Sequence, residues 1–178
     1  ARQNIKTIIQ KLGDEGQHVV YSDTDSIFVK TPVDGVTDPR QAMIEFGHST
    51  AERFSEKSAE LEFETGMSVF FSHGAKKRYV GQVVWPEEKM MIKGYETQRT
   101  DSFRYLTEGM KNIFKHVLAD DSEAAINLAI ETISAVKKGD VPVRDLIMSK
   151  SCKGRWDRKR AKWDFSQDYA NPDAMIQV

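Results

Sequence analysis

The stretch HVVYSDTDSIFVK, His18 to Lys30, sets two short apolar runs on either side of a polar pentad, Ser22-Asp23-Thr24-Asp25-Ser26. Runs of this length broken by Ser, Thr and Asp predict two strands joined by a turn. Strand residues i and i+2 point the same way. Asp23 and Asp25 therefore crowd like charges together unless they lie on a bend or share a cation. An ordinary hairpin turn with solvated aspartates is the plain alternative. A calcium loop of the EF-hand type is excluded, because Ile27 and Phe28 stand where that loop needs Asp/Asn and Gly. A rigid turn with few carboxylates suits magnesium, which keeps coordination positions open for phosphate oxygens, as two-metal phosphoryl transfer requires.

Working outward, Ile5, Ile8, Ile9 and Leu12 recur on one face of a predicted helix over residues 1–12, ended by Gly13 and Gly16. Past the acidic turn, Asp38 and Pro39 offer an N-cap and a first-turn proline to a helix carrying Ala42, Met43, Phe46 and Phe54 inward. LEFETGMSVFF alternates Leu61 and Phe63 against Glu62 and Glu64, and KRYVGQVVW and KMMIKGY read as further strands joined near Pro86-Glu87-Glu88. Residues 17–95 are thus an α+β unit. After Asp101, helical spacing takes over in residues 103–118 and 122–138, the second carrying Ile126, Ala129, Ile130 and Ile133 at that spacing; Asp120-Asp121-Ser122 between them is a helix-capping signal, and Gly139 closes the second helix. A boundary is expected near residue 101, with a mainly helical second part ending in the basic run KSCKGRWDRKRAKW, flanked by Trp156 and Trp163.

The 178 residues suffice for one sizeable core or two small ones. With 26 basic and 27 acidic residues the net charge is −1, so nucleic-acid affinity has to come from local patches. One cysteine, Cys152, excludes an internal disulfide and a thiolate zinc site and fits a reducing cytoplasm. No apolar run is long enough for a membrane helix, which reads as a soluble chain, and the Ala1 start and abrupt end suggest a fragment.

Two further segments carry chemistry. KKRYVG, Lys76 to Gly81, places three cations before an aromatic, which taken alone favours a solvated strand edge over an anion grip. In KGYETQRTD, Lys93 to Asp101, Gly94 permits close backbone approach while Lys93 and Arg99 can reach an anion. An acidic metal turn, two basic strand segments and a helical part with a basic end, in that order, describe a protein holding a phosphodiester backbone while metals do the chemistry.

These motifs resemble those of family B DNA polymerases. YSDTDS is similar to motif C, usually Tyr-Gly-Asp-Thr-Asp-Ser; KKRY resembles the primer-gripping motif; KGYETQRTD resembles the segment where palm passes into thumb; and NPDAMIQV resembles a late thumb segment. The resemblance, nearest to archaeal members, covers essentially the whole chain. It implies an antiparallel palm portion with flanking helices over 1–101 and a mainly helical thumb over 102–178. It implies DNA-templated nucleotidyl transfer to a primer 3′ end with Mg2+, Asp25 bridging the metals, Asp23 as the weaker partner, and Glu64 close by, with Glu62 as the competing assignment. Lys76, Lys77, Arg78 and Tyr79 would hold the primer-terminal duplex, Lys77 in the minor groove, and Lys93 and Arg99 would follow the primer strand. Ser22 stands where the family usually has Gly, so the backbone there must tolerate a Cβ.

The implied partners are primer-template DNA, deoxynucleoside triphosphates, the remaining polymerase segment or large chain, and a sliding clamp, with a cytoplasmic, nucleoid-associated setting. The family's motif A aspartate and motif B lysine precede the matched region, so the resemblance implies half an active site, inactive alone. Two other readings stand beside it: a noncatalytic duplex-binding module, and a manganese-dependent nucleotide-sugar transferase using Asp23 and Asp25. The second leaves the basic motifs unexplained.

Overall fold

The computed structural model describes residues 2–56, 60–95, 97, 102–148 and 154–164. Helix α1, Arg2–Asp14, buries Ile5, Ile8 and Leu12 as its spacing predicts. Gly13, expected to end it, lies inside it. The stop is Gly16, whose left-handed φ of 77° lets Gly16 N–H reach the Gly13 carbonyl and Gln17 N–H the Leu12 carbonyl.

Strands β1, Val19–Ser22, and β2, Ile27–Val29, form the expected antiparallel hairpin, with an irregularity between Val19 and Tyr21 that sets Tyr21 opposite Phe28. Helix α2, Pro39–Phe54, begins as predicted: the Asp38 carboxylate accepts the Gln41 N–H at 3.0 Å and Pro39 occupies the first turn. Its apolar residues are only half-buried. The Leu61–Glu64 alternation survives in exposure, but the strand starts only at Gly66.

Strands β3, Gly66–Phe71, β4, Tyr79–Trp85, and β5, Lys89–Lys93, make an antiparallel meander in that order. Helix α3, Arg104–Leu118, lies on one face of it. Val80, Ile92 and Phe114 form a buried cluster with Met90, Tyr95, Met110 and Leu118 packed around, joining sheet and helix across residue 101. The structure is α+β, with small antiparallel sheets and four helices among the described residues.

Helix α4, Ser122–Lys138, is capped by Asp121, which accepts the Ala124 N–H, and closed by left-handed Gly139. The helical spacing is realised, but the isoleucine stripe is not the covered face. Ile126, Ile130 and Ile133 are 59%, 58% and 56% exposed, while Ala125 is buried. The face toward α3 carries small side chains because the two helices come close: Thr132 sits over Gly109, and the Tyr105 hydroxyl donates to the Thr132 carbonyl at 3.1 Å. The described part of the basic run, expected in a mainly helical part, folds as a β-hairpin, β6, Arg155–Asp157, and β7, Lys162–Asp164, with Trp156 directly opposite Trp163. Lys150, Lys153, Cys152 and the NPDAMIQV segment lie outside the described residues. Among the described residues no helix is long and apolar enough to cross a membrane.

Candidate functional site

Two turns of opposite charge meet where the β1–β2 hairpin docks on the β3–β5 sheet. In the acidic turn the Asp23 N–H donates to the Ser26 carbonyl at 3.0 Å. Asp23 Oδ1 accepts the Thr24 N–H at 2.7 Å and the Thr24 hydroxyl at 3.2 Å. The Thr24 backbone hydrogen bond is the main cause holding the Asp23 carboxyl below the usual carboxylate range; partial desolvation opposes it, and the Thr24 hydroxyl and the Lys77 charge reinforce it. Asp25 is exposed and lines a cavity of about 1070 Å³ together with Glu62, Glu64 and Lys93.

The basic turn is Ala75 to Arg78, closed by the Arg78 N–H on the Ala75 carbonyl at 3.3 Å. Lys76, Lys77 and Arg78 therefore precede β4 on a turn, where the sequence suggested a strand; the ladder begins at Tyr79. A turn frees all three cationic side chains to project outward, and all three are exposed. Lys77 has a left-handed φ of 62°. For a residue with a Cβ that costs about 1–2 kcal/mol. Its N–H donates to the Tyr21 hydroxyl at 3.0 Å, and its Nζ stands 3.7 Å from Asp23 Oδ1. The ion pair alone cannot hold the conformation, since the Lys77 side chain is 70% exposed and solvent screens such pairs. The Tyr21 hydrogen bond, about 1 kcal/mol, adds to it. Gly94, itself at φ 73°, lies against the Lys77 carbonyl so closely that any Cβ there would collide with it.

Docking is aromatic. Tyr21 and Phe28 from the hairpin and Phe70 and Tyr79 from the sheet form a cluster with ring centroids 5.2 to 5.8 Å apart. Burial, with the neighbouring Tyr21, Asp23 and Glu64 charges, pushes the Tyr79 phenol above its ordinary pKa, so it stays protonated in the physiological range. Lys93 pairs with Tyr79 across the ladder and is exposed.

The structure thus brings Asp23, Lys77 and Tyr79 together, and lines one cavity with Asp25, Glu62, Glu64 and Lys93. Among the described residues no group of three or more His, Cys, Asp or Glu is placed to hold a metal ion. The donor set still fits one arm of a magnesium site: Asp25 offers hard oxygens at the solvent-facing tip of a fixed turn, whereas Asp23 Oδ1 is engaged by Thr24. Arg99 lies outside the described residues. Sequence reading missed Tyr21, Phe28 and Phe70. The available signal was one aromatic on each side of the acidic turn, Tyr21 and Phe28, and one on each side of the basic turn, Phe70 and Tyr79, which together make a docking surface.

A family model described as DNA polymerase family B matches residues 2–164. The chain belongs to that family. It is 33% identical over 156 residues to DNA polymerase 2 of Aeropyrum pernix, covering 84% of this chain and 17% of that protein. It is 30% identical over 148 residues to the DNA polymerase delta catalytic subunit of Caenorhabditis elegans, covering 81% and 14%. Against the DNA polymerase of Thermococcus kodakarensis it is 30% identical over 149 residues, covering 81% and 8%. The chain therefore spans under a fifth of the length of these family B relatives.

Proposed function

We propose that this chain is the C-terminal palm and thumb portion of a family B polymerase of archaeal-like type, and that within the complete enzyme it serves DNA-templated nucleotidyl transfer to a primer 3′ end. The observation that carries this reading is the juxtaposition of the two turns. Asp23 of the acidic turn and Lys77 of the basic turn are within ion-pair distance, so a metal-binding edge and a polyanion-binding edge share one surface. Phosphoryl transfer to a DNA end needs both within reach of the same phosphodiester. Relatives from Aeropyrum and Thermococcus support the archaeal affinity.

Asp25 would hold Mg2+, with Asp23 beside it and Glu64 close by. When bound, that ion stabilises charge on the reacting phosphate oxygens. Lys76, Lys77 and Arg78 bind the primer-terminal duplex, Tyr79 backs them from the ring cluster, and Lys93 and Arg99 follow the primer strand. The palm ends near residue 101 and the thumb follows. The partners are primer-template DNA, deoxynucleoside triphosphates, the rest of the polymerase and a sliding clamp at the nucleoid.

The test is Asp25→Asn in the complete polymerase carrying this chain. Primer extension with magnesium is abolished while duplex affinity stays within about threefold, because the lost charge acts on the transition state. Substantial extension by the variant would overturn the assignment. Extension abolished together with duplex binding would point to a structural role for the turn.

A further inference from the structure

Three non-glycine residues among those described have positive φ: Lys77, Asp120 and Ala161. Asp120 follows the last turn of α3, where its N–H reaches the Val117 carbonyl and the next N–H the His116 carbonyl. Ala161 closes the β6–β7 hairpin. Both are local chain reversals. Lys77 differs, because its partner comes from 56 residues away in the sequence: the Tyr21 hydroxyl, on the strand that leads into the acidic turn.

The Tyr21 ring is accounted for by the aromatic cluster, which phenylalanine would serve equally well. Packing leaves the hydroxyl unexplained. It accepts from the backbone of the basic turn, and the clearance at Gly94 leaves room for the Lys77 carbonyl in this conformation. The side chain that the backbone then launches reaches back over Asp23.

We infer that Tyr21 is a positioning residue: its hydroxyl fixes the Lys77 backbone in the left-handed conformation and so aims the Lys77 ammonium across the acidic turn, toward the face that receives the primer terminus. This rests on the duplex-gripping reading of the basic turn. A lysine held this way is oriented before DNA arrives and gives up less conformational freedom on binding. The same hydrogen bond ties the height of the grip to the hairpin that carries Asp25. Duplex and metal edge are thereby registered against each other.

The test uses the complete polymerase carrying this chain, with primer-template affinity at several salt concentrations, steady-state kinetics and thermal melting. Tyr21→Phe, which keeps the ring, weakens primer-template affinity by about three- to tenfold, the equivalent of one hydrogen bond. The loss falls mainly in KM for primer-template rather than in kcat. Lys77→Ala also weakens affinity, and in that background Tyr21→Phe adds nothing further, because the hydroxyl acts through the lysine. If Lys77→Ala weakens binding while Tyr21→Phe does not, or if the two losses multiply, the inference is wrong and the duplex-gripping reading stands. An unchanged affinity in Lys77→Ala itself would overturn that reading and the inference with it.

Discussion

The docked hairpin and the paired helices α3 and α4 are both built from apolar residues at regular spacing, yet they use them in opposite ways. In the hairpin, Tyr21 and Phe28 turn inward and interlock with Phe70 and Tyr79. In α4, the bulkiest stripe, Ile126, Ile130 and Ile133, faces solvent, while small Ala125 is buried and Thr132 meets α3 at Gly109. Periodicity announces a helix or a strand; which face is covered depends on how closely the neighbour can approach. At Gly109 the approach is close, so small side chains occupy the seam.

If that contrast is sound, substitutions in the two regions should differ sharply in effect. The largest loss of stability is expected from Gly94→Ala. Its methyl meets the Lys77 carbonyl in a left-handed backbone, and overpacking plus left-handed strain amount to about 2–5 kcal/mol. Chemical denaturation of the chain measures it; a loss below about 1 kcal/mol would mean that the end of β5 is not packed tightly against the basic turn.

Phe28→Ala and Ile130→Ala test the contrast directly. Phe28 is half-buried in the ring cluster, so its truncation costs about 2 kcal/mol, below the ~3–5 kcal/mol of a fully buried phenylalanine. Ile130, 58% exposed, changes stability by no more than about 0.5 kcal/mol. Equal losses in thermal melts of the two variants would show that the isoleucine stripe is covered.

The smallest effect concerns pH. Asp23 has its folded-state pKa lowered, chiefly by the Thr24 N–H, so its contribution is present above the ordinary carboxylate pKa and is lost as pH falls through the lowered folded value. The stability difference between wild type and Asp23→Asn therefore narrows on acidification past the carboxylate range. A difference that widened instead would contradict the hydrogen-bonded carboxylate.

Features that short-range chemistry decides were legible in the sequence. The acidic hairpin turn, the Asp38-Pro39 helix start, the Asp121 cap, the Gly139 stop and the β4–β5 strand pair all follow from residues a few positions apart. The motif residues also identified the family. Features set by distant contacts were not legible. The outward face of α4 and the left-handed conformation of Lys77 depend on partners tens of residues away, Gly109 under Thr132 and the Tyr21 hydroxyl, while the irregularity in β1 is set by how it pairs with β2. Gly13 and Gly16 were indistinguishable as stops until the carbonyls they answer were known. The basic run gave charge without period, and its hairpin depends on the cross-strand pairing of Trp156 with Trp163.

That pairing has an optical consequence. The two indole rings lie 5.6 Å apart at an interplanar angle of 71°. Chromophores so near and so inclined share their excited states, and such a pair gives circular dichroism bands of opposite sign on either side of the parent absorption. Trp85 stacks on Phe63 elsewhere and lacks an indole neighbour of this kind among the described residues. The hairpin therefore carries its own spectroscopic signature, which vanishes when either tryptophan is replaced and reports the folding of this one element without any added label.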